Sequence, residues 1–326
     1  MKTLEQHEQD VLDIKKQLKE YVKSGNDQKL MFTHVGSHST RERSRHTYNN
    51  INISHLQDII FVDLKNKEVL TEPSVPMDKL VETTLKYGLL PEVVTEFPKI
   101  TVGGAIEGAA LESSSFKHGQ FNDCCNEYTI ITPEGKTIKA SRTKNSDMFF
   151  GKTGSYGSLG LLTSVKLKLM DATKYVLLQY TTFGSIEEAM QFMKKSTSAK
   201  YDYLEGILFD KTRITIITGQ CVEEGNYLIQ TFNNSNDPWF YKHVDKISRE
   251  KDDYSELVPI FDYLFRYNRG AYWMGKYFLK YVGGYNLITR TVFNSSLTTE
   301  RMYEALHLGN LSQSFFVQDF IYPQKT

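Results

Sequence analysis

The chain has 326 residues, with 39 Lys+Arg balancing 39 Asp+Glu, 40% apolar residues, 13% aromatics and 3 Cys. That length accommodates two domains of about 100–200 residues each, and the zero formal charge withholds the broad attraction behind non-specific nucleic-acid binding, so nucleic acid is excluded as an expected partner. Adjacent Cys124 and Cys125 with a remote Cys221 make neither a disulfide framework nor a zinc spacing, and a polar start with no apolar run near about 18 residues predicts a cytoplasmic protein without signal peptide or transmembrane helix.

Leu4, Val11, Ile14, Leu18 and Val22 recur at helical spacing, so residues 1–27 are read as an N-terminal amphipathic helix that stops near Ser24-Gly25-Asn26. Short strands are predicted over residues 30–35 and 51–54, then a hairpin of 58–63 and 68–72 about the polar turn 64–67. Pro76 opens a helix with Leu80, Val81, Thr84 and Leu85 on one face, closed by Gly88. A glycine-rich loop is predicted over 101–119, followed by strands at 128–132 and 137–140 about Pro133-Glu134-Gly135 and an alternating strand at 161–170. After this first unit come a strand (175–183), a helix (185–195) whose Ser185 and Glu188 make a capping box, and a hairpin (203–209 and 213–221) about Asp210-Lys211-Thr212. Residues 236–285 are dense in aromatics, among them Trp239, Phe240, Tyr241, Trp273, Tyr277 and Phe278, interleaved with Lys and Arg. They read either as aromatic core with snorkelling cations or as a wall for a flat apolar ligand or a membrane surface.

Most chemistry-bearing patterns fail on spacing. Gly151-Lys152-Thr153 imitates the end of a P-loop, but Ser146 stands where the first glycine belongs. Gly154, Gly157 and Gly160 are spaced by threes and not as a dinucleotide fingerprint. Cys124 and Cys125 near His118 lack the third group of a nucleophilic triad, and His34, His38, His46 and His55 lack helical ligand spacing, so no metal is expected. What remains is the run from Thr101 through Val102, Gly103, Gly104, Ala105, Ile106, Gly108, Ala109 and Ala110 to Glu112, Ser113 and Ser114. Its small residues admit close backbone approach, and its amides are expected to cradle a pyrophosphate; close helix-on-strand packing uses the same residues.

Thr101-Val102-Gly103-Gly104, Glu112-Ser113-Ser114-Ser115, His118-Gly119 and Tyr156-Gly157-Ser158-Leu159-Gly160 resemble the glycine segments of the PCMH-type, or vanillyl-alcohol-oxidase-like, FAD-binding family, and within it the Δ24-sterol reductase (diminuto-like) branch. His7-Glu8 with Ile14, Gln17 and Leu18, residues 69–77, and Phe316-Val317-Gln318-Asp319 are similar to other parts of that branch, so the resemblance runs from about residue 4 to Pro323. Ala109 and Ala110 depart from it, since the branch is richer in Gly there. The resemblance implies an α+β fold: a PCMH-type FAD-binding domain of two α+β subdomains over residues 28–170, followed by an α/β cap or substrate domain over 171–326. Family members carry an N-terminal anchor and continue further, so an incomplete cap is expected. It also implies FAD held by the residues just named, Gly119, Gly157 and Gly160 included, with NADPH as reductant; no convincing His or Cys pairing stands near the loop, so the flavin is expected to be non-covalent.

The reaction implied by the resemblance is reduction, through the flavin, of a carbon–carbon double bond in the aliphatic tail of a sterol. An unconjugated alkene accepts hydride poorly, so the reaction requires an acid in a dry pocket. Glu112 and His118 lie beside the loop, but each fits a hydrogen bond to backbone or flavin better than an acid's role, and the catalytic residues stay unassigned. The alternatives are an FAD-dependent alcohol or lactone oxidase of the same superfamily and a non-catalytic flavin-binding remnant. A sterol-like apolar substrate and a peripheral contact of residues 236–285 with an internal membrane complete the expectations.

Overall fold

The computed structural model describes residues 1–25, 30–33, 49–198, 200–251, 253–270 and 274–309. Asn26, His34, Val35, His38, His46, Trp273 and the segment 316–319 lie outside the described residues.

Helix α1 (Leu4–Lys23) is started by Thr3, whose hydroxyl accepts from the Gln6 amide while the Gln6 side chain accepts from the Thr3 amide. Its buried face is His7, Ile14 and Leu18, whereas Leu4 and Val22 are exposed. The apolar seam is therefore narrower than the spacing of the apolar residues suggests, with a histidine in place of a leucine at its start. Ile14 and Leu18 pack with Val11, with Leu30 and Phe32 of β1 (Leu30–Thr33), with Ile51 of β2 (Asn49–Asn52), and with Ile131 and Leu161 further along. Full burial of such a side chain is worth about 1.5–3 kcal/mol.

The hairpin β3 (Ile59–Asp63) and β4 (Glu68–Thr71) forms as expected, with Asp63 accepting from the amides of Lys65 and Asn66 in the turn. Helix α2 (Met77–Leu85) buries Met77, Leu80, Val81 and Thr84, and Gly88 at φ +69 turns the backbone into β5 (Leu89–Pro91). The segment expected to be a glycine loop instead holds two short helices, α3 (Val102–Glu107) and α4 (Ser115–His118). Strands β6 (Cys125–Ile131) and β7 (Thr137–Ser141) form the next hairpin, and α5 (Ser146–Gly151) leads to β8 (Leu161–Asp171). The sheet runs β3-β4-β8-β6-β7, with β5 also paired to β8. β8 is flanked on both sides, which explains its largely apolar first half.

Strand β9 (Tyr175–Phe183) opens a second sheet of order β10-β11-β9-β12, antiparallel throughout. Helix α6 (Ile186–Ser196) is capped by Ser185, whose hydroxyl accepts from the Glu188 amide at 3.3 Å. It leads to the hairpin β10 (Tyr203–Asp210) and β11 (Arg213–Val222). Helix α7 (Phe240–Glu250) then returns the backbone to an unanticipated edge strand, β12 (Asp253–Pro259). Among the described residues four short helices follow: α8 (Ile260–Leu264), α9 (Gly275–Leu279), α10 (Leu287–Val292) and α11 (Thr299–Leu308).

The fold is α+β. One continuous core joins the two sheets: Val69, Val165 and Leu167 of the first belong to the same buried cluster as Val176, Leu178 and Val258 of the second and Tyr263 of α8. Much of the aromatic stretch is core, including Trp239, Phe240, Tyr263, Phe265 and Tyr267, while Tyr277, Phe278 and Tyr281 are exposed. Among the described residues no helix is long and apolar enough to cross a membrane.

Candidate flavin site

Thr101 starts α3 by accepting the Gly104 amide on its hydroxyl at 3.1 Å. The other amides of the segment are also engaged. Val102 N–H donates to the Val75 carbonyl at 2.9 Å and Gly103 N–H to Pro73 at 2.8 Å. Ala105 donates to Thr101, Gly108 to Gly104, Ala109 to Ile106 and Ala110 to Ala105. Buried amides need partners, and here the neighbouring backbone supplies them. The expected cradle of free amides over these residues is corrected accordingly. A Cβ at Gly103 would stand 3.0 Å from Pro73 Cβ and 3.1 Å from its carbonyl oxygen, so this glycine lets α3 dock against the strand exit. Ile106 is buried in the same core.

The two glycine segments paired by the sequence do meet in space. Glu107, at the end of α3, accepts from Ser155 Oγ at 2.7 Å and from Gly157 N–H at 2.6 Å. Its other oxygen is ion-paired with Lys152, whose fully buried Nζ also donates to the Gly160 carbonyl at 2.6 Å. Gly160, at φ +97, would place a Cβ 2.5 Å from the Ile131 carbonyl, so only glycine fits this corner. Lys152, whose P-loop spacing fails, is the clamp between the segments.

Beyond Ala110 the segment turns towards the second sheet. Glu112 accepts from the Ser113 amide at 2.7 Å and hydroxyl at 2.6 Å, and Ser113 Oγ shares a hydrogen bond of 2.9 Å with Tyr263. Ser114 Oγ donates to the Glu92 carbonyl at 3.0 Å. His118 lies 3.9 Å from Glu92, and burial holds its imidazole below the ordinary value despite that carboxylate. Gly119, at φ +81, is closed over Asp123.

Behind Glu112 lies a charged cluster for which the sequence offers no local sign. Arg266, 1% exposed, donates from Nε to Glu205 at 2.9 Å and from Nη2 to Glu112 at 3.4 Å, and Tyr267 donates to the second Glu205 oxygen at 2.9 Å. Burial works against the charge on Glu112, but Arg266 and the hydrogen bonds from Glu96 and Ser113 outweigh it and hold that carboxyl below its usual value. Burial and then the neighbouring Glu112 charge push Glu96 well above its own. The two neighbouring carboxyls are thus driven in opposite directions, Glu96 up and Glu112 down. Its members come from distant parts of the sequence, and only the aromatic setting of Arg266 hints at a buried cation.

Thr95 Oγ1 and Asn122 Oδ1, on the segments flanking α3 and α4, are buried without a hydrogen-bond partner among the described residues. Gly154 and Gly157, at φ +69 and +84, face open space. A buried polar atom without a partner is costly, and a polar cofactor group could satisfy these two. Among the described residues no group of His, Cys, Asp or Glu is arranged to hold a metal ion.

Residues 13–141 match the family described as FAD binding domain. The chain is 29% identical to the Delta(24)-sterol reductase of Homo sapiens over 337 residues, covering 98% of this chain and 63% of that relative. It is 29% identical to the Delta(24)-sterol reductase of Pisum sativum over 257 residues, covering 74% of this chain and 45% of that protein. A shorter similarity, 33% over 132 residues and 39% of this chain, is to cytokinin dehydrogenase 7 of Oryza sativa subsp. japonica, 25% of which it covers. The chain therefore spans under two thirds of the length of the sterol reductases it matches. Residues 13–141 are thus similar to the PCMH-type FAD binding domain family, and nearly the whole chain is similar to Delta(24)-sterol reductases.

Proposed function

We propose that this protein is an FAD-dependent oxidoreductase that reduces a carbon–carbon double bond in a sterol-like apolar substrate, with NADPH as the source of electrons. Residues 28–170 bind the flavin and residues 171–326 cap the substrate. The observation that carries this reading is that similarity to a sterol reductase covers 98% of the chain and reaches beyond the FAD-matched segment into the second sheet. FAD, when bound without a covalent link, supplies hydride chemistry that side chains lack.

The protein's own residues do the rest. Gly104, Gly108, Ala109 and Ala110, the less buried small residues of the run, shape with Gly157 and Gly160 the surface against which the flavin lies, and Thr95 Oγ1 and Asn122 Oδ1 would gain partners there. Lys152 and Glu107 fix the two glycine segments relative to each other. Glu96, whose carboxyl is pushed up by burial and by the Glu112 charge, is the group proposed to supply the proton that an unactivated alkene needs, with Arg266 paired to Glu112 beside it. A sterol partitions into lipid, so a cytoplasmic protein working on one would touch an internal membrane peripherally through residues 236–285, where Tyr277, Phe278 and Tyr281 are exposed.

The test is an absorption spectrum of the purified protein followed by anaerobic addition of NADPH. A yellow protein bleached by NADPH supports the reading. A yellow protein that NADPH leaves unchanged, but an alcohol or lactone bleaches, favours the second reading, an oxidase, for which the similarity to cytokinin dehydrogenase 7 speaks. A colourless protein that takes up no FAD overturns both in favour of a non-catalytic remnant.

A further inference from the structure

We propose that the cleft between α7, the start of β12 and residues 285–290 is a binding site for a nucleoside phosphate, distinct from the flavin surface. The cleft has a volume of about 370 Å³ and shares no lining residue with the glycine segments; small-molecule sites hold about 300–1,000 Å³.

Its walls combine positive charge with aromatic planes. Lys242, Lys246, Lys251 and Arg290 line it, with Tyr254 and Tyr285 among them. Lys242 is paired with Asp245 at 2.9 Å. Among the described residues neither Lys246, Lys251 nor Arg290 makes an ion pair, and Glu250 is the one carboxylate on the rim. In a protein of zero formal charge this is a local excess of cations, which concentrates an anion by focusing the field in a concave surface. Arg290 Nε is buried without a hydrogen-bond partner among the described residues, and its guanidinium stands 5.8 Å from the Tyr285 ring centre. A buried guanidinium N–H left unpaired is costly, and a phosphate oxygen satisfies it.

The aromatic rings decide between ligand classes. Lys251 Nζ covers one face of the Tyr254 ring at 3.9 Å from its centre, so a cation and an aromatic plane share one wall, and a nucleoside phosphate that draws the ammonium to its phosphate uncovers that face for its base. His243 gives the wall a fixed polar edge: its Nε2 lies 2.9 Å from the buried Glu256, which also accepts from Tyr180 at 2.6 Å. A lipid headgroup brings phosphate without a flat ring, and Tyr281, the most exposed aromatic among the described residues of the region, does not line the cleft.

The experiment is calorimetric titration of the full-length protein with 5′-ADP and, separately, inorganic phosphate, in saturating FAD so that the flavin's own nucleotide surface is filled. The result expected is saturable one-site binding of ADP, weakened at least tenfold both by Arg290→Gln and by Lys246→Glu combined with Lys251→Glu, and unchanged by Lys65→Glu in the remote β3–β4 turn. Using the exposed lysine pair beside the part-buried arginine keeps the outcome readable should one variant fold poorly. ADP binding no tighter than phosphate, or equal in all variants, overturns the proposal. Flotation with phosphatidylserine vesicles that is lost in the same variants, without ADP binding, assigns the cleft to a lipid headgroup and overturns it as well.

Discussion

Lys152 and Glu107 form a buried ion pair that ties the end of α3 to the loop before β8: the lysine is 0% exposed, and its ammonium is shared between the Glu107 carboxylate and the Gly160 carbonyl. Removing one partner of such a pair leaves an uncompensated charge inside the protein. Lys152→Met is expected to cost about 3–5 kcal/mol and to loosen the Gly157–Glu107 bond with it. Urea unfolding of Lys152→Met and of Lys152→Met with Glu107→Gln checks this; the double variant should recover part of the loss, because the stranded carboxylate is gone.

Arg266 holds two carboxylates at once, Glu112 and Glu205, from opposite sides of the boundary between the glycine segment and the second sheet. Arg266→Met is expected to destabilise the protein by about 3–5 kcal/mol at neutral pH. The defect should shrink as the medium is acidified, since protonation relieves carboxylates that have lost their cation. A loss independent of pH would mean that packing of Arg266 against Phe240 and Tyr263, and not charge, dominates.

Glu96 carries the opposite sign. Burial and the Glu112 charge raise its folded value well above the ordinary 4.5, so its contribution to stability is full below 4.5 and is lost as pH rises through the folded value. Glu96→Gln, a neutral isostere, should abolish that slope, leave the protein at least as stable at alkaline pH, and lower turnover of an alkene substrate by about 10²–10⁴-fold if the carboxyl supplies the proton. Unfolding curves across pH measure the first effect and single-turnover reoxidation of reduced enzyme by substrate the second.

Local signals carry well where turn chemistry or capping stands beside periodicity. The Asp63 turn, Gly88, Ser185 and the Asp210 turn each have a side-chain or backbone reason to stop or start an element, and each element forms. Periodicity overstates the α1 seam because it weighs Leu4 as apolar but cannot see that His7 finds the buried Glu72 at 2.7 Å. The glycine segment is legible as special and as paired with residues 156–160. Its two short helices are not, since glycine has poor helix propensity and here close packing against Pro73 overrides it. Strand β12 and the Arg266 cluster depend on pairings between distant residues, for which a single sequence carries no local mark.

Ala109 stands in the left-handed region at φ +53, where a Cβ is strained and glycine is not. An alanine at this position therefore has a physical cost. Ala109→Gly is expected to stabilise the protein by up to about 1 kcal/mol, the relief of strain being partly offset by the greater freedom of glycine in the unfolded state. Thermal unfolding of Ala109→Gly beside Ala110→Gly tests it, because the neighbouring substitution should bring no such gain.

Asp245 is the anchor of the second sheet's outer helix: it accepts from Arg213 at 2.8 Å, Lys242 at 2.9 Å and Arg249 at 3.0 Å. Burial opposes its charge, but the hydrogen bonds from Lys242 and Arg213 and the charges of Lys242 and Arg249 outweigh it and lower its value from 3.8 to about 2. A carboxyl lowered in the fold contributes stability that is full above 3.8 and disappears as pH falls through about 2. Asp245→Asn should thus cost about 1.5–3 kcal/mol at neutral pH, the worth of hydrogen bonds to charged groups. The gap between wild type and variant should close between about pH 4 and pH 2, read as urea midpoints of both proteins along that range. A gap that persists at the acid end would mean that the amide fails to replace the carboxylate for steric reasons, and the electrostatic account of this anchor would fall.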